Sequence, residues 1–259
     1  MKINSLMALA AVALAAAAPA SAAVVSYTQG DLLMGFHASG GTGAGSVYVV
    51  DIGSAASFRD ANGSMTLSLG NIGTDLTAIF GANWSTRTDL SWGIAGTSSN
   101  VATVNGDPIR TLYASQAQIT TGDQGTAWVV DSSTVRTATS TRMQTMETAF
   151  KNYQATANSP FATIQGSTDG NNYSSYIATS TPSANAPGGI DFGAFAGIEG
   201  TPAQALNLYR VTDNNPGALE GSFSISPTGV VTFAVPEAAS SLFVGASALL
   251  LAVRRRRNA

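Results

Sequence analysis

The chain has 259 residues, no cysteine, one histidine, and only 12 lysines and arginines against 15 aspartates and glutamates. That length allows one large domain or two small ones. The missing cysteines exclude disulfides, thiol catalysis, Fe–S clusters and cysteine-ligated zinc. Between residues 23 and 235 there are seven bases and fourteen acids, a net charge of −7 that the terminal arginines partly mask. Such a body lacks the clustered Lys and Arg that nucleic-acid phosphates demand, so nucleic acid is excluded as a partner.

The first 22 residues, "MKINSLMALAAVALAAAAPASA", join Lys2 to an Ala/Leu/Val run, Pro19 and a small-x-small site. The pattern is that of a secretory signal helix with the cleavage site at Ala20, Ala22 and Ala23, cut before Ala23. A body without disulfides must then rely on its core, and about 200 residues bury roughly 70% of their surface, which suffices.

In chain order, "LLMGF" and "SVYVVDI" read as strands around the glycine-rich turn "SGGTGAGS". "MTLSL" alternates as a strand does, and Leu76–Phe80 suggests a helical turn. "LSWGIAG", "IRTLYAS" and "GTAWVVD" are further strand candidates. Met143, Met146, Phe150, Tyr153 and Ala157 recur at helical spacing and predict a helix over about 140–156. Thr141 with Gln144 fits a capping box, and Glu147 with Lys151 an exposed i,i+4 pair. Residues 156–204 look loop-like, with one strand candidate at "SYIAT". "SFSIS" and "VVTFAV" about "PTG" form a hairpin with a half-buried pattern. The fold expected is mainly β, an antiparallel β-sandwich with one flanking α-helix.

The chemistry-bearing motifs are sparse. His37 is the sole histidine, so any triad or histidine metal site would have to be built on it. "GGTGAG" lacks the lysine and the βαβ setting of a phosphate loop, and a hairpin turn accounts for it. Glu147, Glu199 and Glu220 show no spacing that pairs two of them as a glycosidase would. "STDGNN" (167–172) and "TDNNPG" (212–217) are oxygen-rich but depart from the EF-hand pattern, and turn chemistry explains both. No cofactor or metal site is expected. Trp84, Trp92 and Trp128 lie among Ser, Thr, Asn and Asp, which suits either sugar stacking or core filling.

The C-terminus reads "VPEAASSLFVGASALLLAVRRRRNA". Ala238–Val253 is 16 apolar-rich residues, about 24 Å as a helix, a short membrane span with arginines able to snorkel. Arg254, Arg255, Arg256 and Arg257 would stay in the cytoplasm and leave the body outside. Val235, Pro236 and Glu237, the hydrophobic helix and the arginine cluster together resemble the PEP-CTERM sorting signal of Gram-negative bacteria. Ala238 stands where the family motif has a second proline. The resemblance covers about 25 residues. It implies that exosortase, an integral-membrane transpeptidase-like enzyme, reads Val235, Pro236 and Glu237 while the four arginines retain the chain at the inner membrane. It also implies delivery to the cell surface or the exopolysaccharide matrix of a biofilm. The organisation expected is a signal peptide at 1–22, an exported β-rich domain at 23–234 and a sorting tail at 235–259. The body is expected to be non-enzymatic. Carbohydrate binding, glycoside hydrolysis, and an anchored protein whose tail is never processed are the alternatives.

Overall fold

The computed structural model describes residues 23–128, 133–177, 198–213 and 216–236. The signal segment with Ala20 and Ala22, Glu237, the apolar run 238–253 and Arg254–Arg257 lie outside the described residues. Among the described residues no helix is long and apolar enough to cross a membrane.

The body is mainly β. Strands β1 (Asp31–Ala38) and β2 (Ser46–Ser54) form the hairpin expected around the glycine turn, and β4 (Leu90–Thr97) and β5 (Leu112–Ala117) follow. Two-residue β3 (Met65–Thr66) is all that forms from "MTLSL". Strand β6 (Ala162–Gly166) lies inside the stretch expected to be loop, and β7 (Leu206–Val211), β8 (Ala218–Ile225) and β9 (Val231–Ala234) close the chain. All nine are antiparallel neighbours in one sheet, in the order β3-β9-β8-β7-β5-β4-β1-β2-β6. The expected two-sheet sandwich is therefore replaced by a single curled sheet.

Curling lets one sheet do what a sandwich does. Alternate residues of β1, namely Leu32, Met34, Phe36 and Ala38, enter a cluster that also holds Tyr48, Tyr113, Phe223 and Phe233. This cluster draws on central strands and on both ends of the sheet, so the concave face wraps it. Helices α1 (Ala55–Arg59) and α2 (Ile72–Phe80) fill the concavity. Phe58 of α1 meets Phe223 and Phe233 edge-on at 5.1 and 5.2 Å between centroids. The opposite face carries Leu33, Val47, Val49, Ala95 and Leu112, covered by Met143, Met146 and Phe150 of α3 (Ser133–Phe150) and by α4 (Tyr173–Ile177). Gly35 of β1 belongs to this face, and a Cβ there would collide with the Tyr173 ring.

Helix α3 carries the predicted apolar stripe but starts seven residues earlier and ends six earlier than expected. Thr137, Thr141 and Thr145 each donate to the carbonyl four residues back, so Thr141 is mid-helix and caps nothing. The helix stops at Phe150 because the chain then pairs with the N-terminal segment: Val25 N–H donates to Tyr153 O, and Ala155 N–H to Ala23 O. "SYIAT" begins in helix α4 instead of a strand, and Gly125–Trp128 of "GTAWVVD" have no regular structure.

Helix α2 is set by Asn71, whose side chain accepts from Thr74 N–H, and by Gly81 at φ 91° after its last residue. It carries Asp75, which is buried and accepts from Tyr48 Oη at 2.9 Å, Thr156 Oγ1 at 2.6 Å and Asn158 Nδ2 at 2.7 Å. Those donors come from β2 and from the approach to β6, so one carboxylate ties the concave helix to one end of the sheet. Replacement Asp75→Ala leaves three donors without their acceptor and is expected to cost about 3 kcal/mol. Urea unfolding of the variant checks this, through a lowered midpoint at unchanged slope.

Candidate functional site: an acidic pocket at the seam of the sheet

A curled sheet with two free ends has a seam. Here the segment that leaves β3 meets the approach to β6: Asn71 N–H donates to Asn158 O at 2.8 Å, and Ser159 Oγ to Leu69 O at 2.6 Å. Beside these bonds lies a cavity of about 370 Å³ lined by Ser26, Asp31, Asp51, Gly53, Leu67 and Phe161.

Two carboxyl groups sit in that lining. Asp31 opens β1 and Asp51 lies in β2, paired opposite Leu33. The register shifts between Asp31 and Leu33, a bulge that brings Asp31 beside Asp51 on the same face. The two carboxyls are close enough that the protonation of one acts on the other. Thr28 N–H donates to Asp31 at 2.9 Å and Gly53 N–H to Asp51 at 2.8 Å. Burial raises both groups above the usual carboxylate range, and Asp51 is pushed up to about 7. Two neighbouring acids that cannot both ionise share one proton near neutral pH.

The acidic character continues inward. Tyr27 lies close enough to Glu147 to feel its charge, and its hydroxyl lies 3.5 Å from the Asp31 carbonyl. Glu147 is 2% exposed, accepts from Thr97 N–H at 3.2 Å, and is pushed up to about 8 chiefly by burial. Lys151 Nζ lies 5.6 Å from the Tyr27 ring centre and eases the charge on Glu147. Burial of Glu147 corrects the exposed i,i+4 pair expected with Lys151. The signal was present: Met143, Met146, Glu147 and Phe150 fall at i, i+3, i+4 and i+7, so Glu147 occupies the buried stripe itself.

The other sequence candidates are placed as follows. Trp84, Trp92 and Trp128 are 1%, 0% and 5% exposed, so none offers a ring face to a sugar. Trp92 stacks on Phe36 at 5.9 Å, Trp84 meets the same ring edge-on, and Trp128 Nε1 donates to Ser115 O. Sugar stacking on these residues is thereby corrected to core packing. Glu220 accepts from Arg210 Nε at 2.7 Å, beside buried Asp107, which holds Arg59 at 2.8 Å and the Tyr113 hydroxyl at 2.7 Å. In "STDGNN" the Asn172 amide donates to the carbonyls of Gly166, Ser167 and Asp169, filling the loop as a cation would. "TDNNPG" lies partly outside the described residues. The "GGTGAG" loop is a hairpin turn whose carbonyls at Gly40 and Thr42 receive the Arg87 guanidinium. His37 bonds Glu199 at 2.9 Å, far along the chain. Val235 packs against the concave core and Pro236 is exposed directly after it. Among the described residues no three His, Asp or Glu side chains are grouped as metal ligands.

Chemically, the Asp31–Asp51 pair can hold and release a proton near neutrality. No family model, curated protein or solved structure matches the chain.

Burial that raises a carboxyl pKa makes the unfolded chain bind fewer protons than the folded one between the two pKa values. For Asp51 and Glu147 the windows run from the ordinary carboxylate range of about 4 up to about 7 and about 8. Their contribution is fully present below pH 4 and lost as pH rises through these values. Thermal denaturation is therefore expected to show Tm falling between pH 5 and pH 8.5. Asp51→Asn and Glu147→Gln are each expected to flatten that slope and to raise Tm at the alkaline end.

Proposed function

We propose that this chain is an exported surface or extracellular-matrix protein, with a non-enzymatic β body delivered by a C-terminal sorting signal that exosortase processes. The observation that carries the reading is the order of parts at the C-terminus, which resembles the PEP-CTERM signal: Val235-Pro236-Glu237, an apolar run and four arginines, in a chain that opens with a signal peptide. The way the body ends supports it. Strand β9 is paired with both β8 and β3, Val235 is packed on the core, and Pro236 is already exposed. Proline donates no hydrogen bond and ends strand pairing, so the motif starts where the sheet stops.

In this reading the body rests outside the inner membrane, held by the apolar run 238–253 and the arginines that follow it on the cytoplasmic side. Only Glu237 separates exposed Pro236 from the apolar run that begins at Ala238. The processing enzyme then meets the motif against the sheet. Exopolysaccharide is the partner expected after release. Carbohydrate binding through the tryptophans loses its stacking faces to the core.

Intact-mass measurement of the protein from cells with and without active exosortase tests the proposal. Loss of Arg254–Arg257 is expected only with the enzyme active. Pro236→Ala, at an exposed position, is expected to leave the tail in place and the chain in the membrane fraction. Ala238→Pro restores the second proline and is expected to raise the processed share. A retained arginine tail in exosortase-active cells would make the chain an ordinary anchored membrane protein.

A further inference from the structure

The sheet contains a fork. Strands β4 and β5 pair only through Ala95–Ala114, Gly96–Tyr113 and Thr97–Leu112, and then part. Residues Ile198–Thr201 enter the gap. Gly200 exchanges both backbone bonds with Trp92, at 2.8 and 2.9 Å, on the β4 side. On the β5 side Ser115 Oγ donates to Ile198 O at 2.7 Å while accepting from Ile94 N–H at 2.8 Å. Trp92 Nε1 donates to Thr201 O and Gln204 O. The segment is thus an insert, held by one backbone bridge to β4 and by the Ser115 side chain of β5.

One side chain of that insert reaches across β4 to β1. Glu199 Oε2 lies 2.9 Å from His37 Nε2, and the two side chains are only 13% and 17% exposed. The second carboxylate oxygen, Oε1, is buried without a hydrogen-bond partner. So is the hydroxyl of fully buried Tyr173, whose ring covers Gly35 and whose oxygen approaches Gly93. Among the described residues His37 is therefore the side-chain partner of Glu199. Among the described residues, Glu199 is the one charge acting on the imidazole, and Tyr173 is the other titratable group that feels Glu199.

We propose that His37 and Glu199 form a proton-operated latch that holds Ile198–Thr201 in the fork between β4 and β5. With His37 protonated, the bond is a charge-assisted ion pair. Loss of the proton leaves a buried carboxylate without a counter-charge, facing an apolar cluster and an unionised phenol. That cost falls on the insert. The protonated form is favoured by Glu199 and opposed by burial, with the imidazole shifted above its ordinary value. The latch is therefore closed at mildly acidic pH and weakens as pH rises through the folded value. This inference concerns the body alone and stands apart from the sorting proposal.

His37 is the only histidine, so one imidazole resonance reports the titration without ambiguity. NMR titration of the exported protein is expected to place the midpoint above the ordinary histidine value, and Glu199→Gln to return it there. Hydrogen exchange, corrected for the intrinsic pH dependence, follows the amides of Trp92 and Gly200 against those of the β1–β2 hairpin. The two amides are expected to lose relative protection across the His37 midpoint, about tenfold for each pH unit by which Glu199 raises the imidazole. His37→Gln, which keeps a donor, is expected to abolish the transition at these amides, while Asp51→Asn and Glu147→Gln leave it in place. The proposal is overturned if relative protection in the wild-type protein is unchanged across the titration, or if its midpoint differs from that of His37. The same holds if Glu199→Gln shows an identical transition. The wild-type comparison decides the matter even where a variant fails to fold.

Discussion

Nine strands in one antiparallel sheet cannot bury both faces and leave two distant edges unless the sheet bends round its own core. Everything else in the body depends on that bend. Phe36, Tyr48, Phe58, Phe223 and Phe233 come from widely separated stretches and share one concave cluster. Holding the bend takes specific bonds at the seam, and Asp75 makes three of them from a helix inside the concavity. A buried carboxylate with three neutral donors is well satisfied, and removing it would strand each donor in a low-dielectric place.

The same bend shapes the chemistry. Bringing the exit of β3 and the approach to β6 together encloses a pocket, and the β1 bulge turns Asp31 beside Asp51 within it. Tyr27 and Glu147 extend the acidic group beneath α3. Across the convex face, His37 faces a carboxylate brought from the other end of the chain. Asp31, Asp51, Glu147 and His37 lean in one direction: protonation favours the folded body. The body is thus expected to be tightest in mildly acidic surroundings.

Much of the fold was legible locally, because strand formation leaves a period-two trace. "LLMGF", "SVYVVDI", "LSWGIAG" and the final hairpin all lie in strands. "SYIAT" and "GTAWVVD" failed because apolar and β-branched residues also suit a buried helical turn or a covering segment, as Ile177 and Trp128 show. Strand β6 escaped notice because its flanks are rich in Gly, Asn, Ser and Pro. The sites were less legible. Asp31 and Asp51 are twenty residues apart with no motif between them, and His37 and Glu199 are separated by 162 positions. Glu147 was readable in principle from its place on the stripe, but a charged residue there is ordinarily a solvent-side exception.

By itself the sequence determined the β character of the body, the helix that bears Met143, Met146 and Phe150, and the turn roles of the glycine loops. Each of these rests on residues close together, whose periodicity and backbone preferences act within a few positions. The tertiary structure alone decided that the strands make one curled sheet instead of two packed ones, that three tryptophans are enclosed, and that the acids meet in pairs. Those outcomes depend on strand order and register, which are set by how distant apolar faces fit together and which no local spacing records.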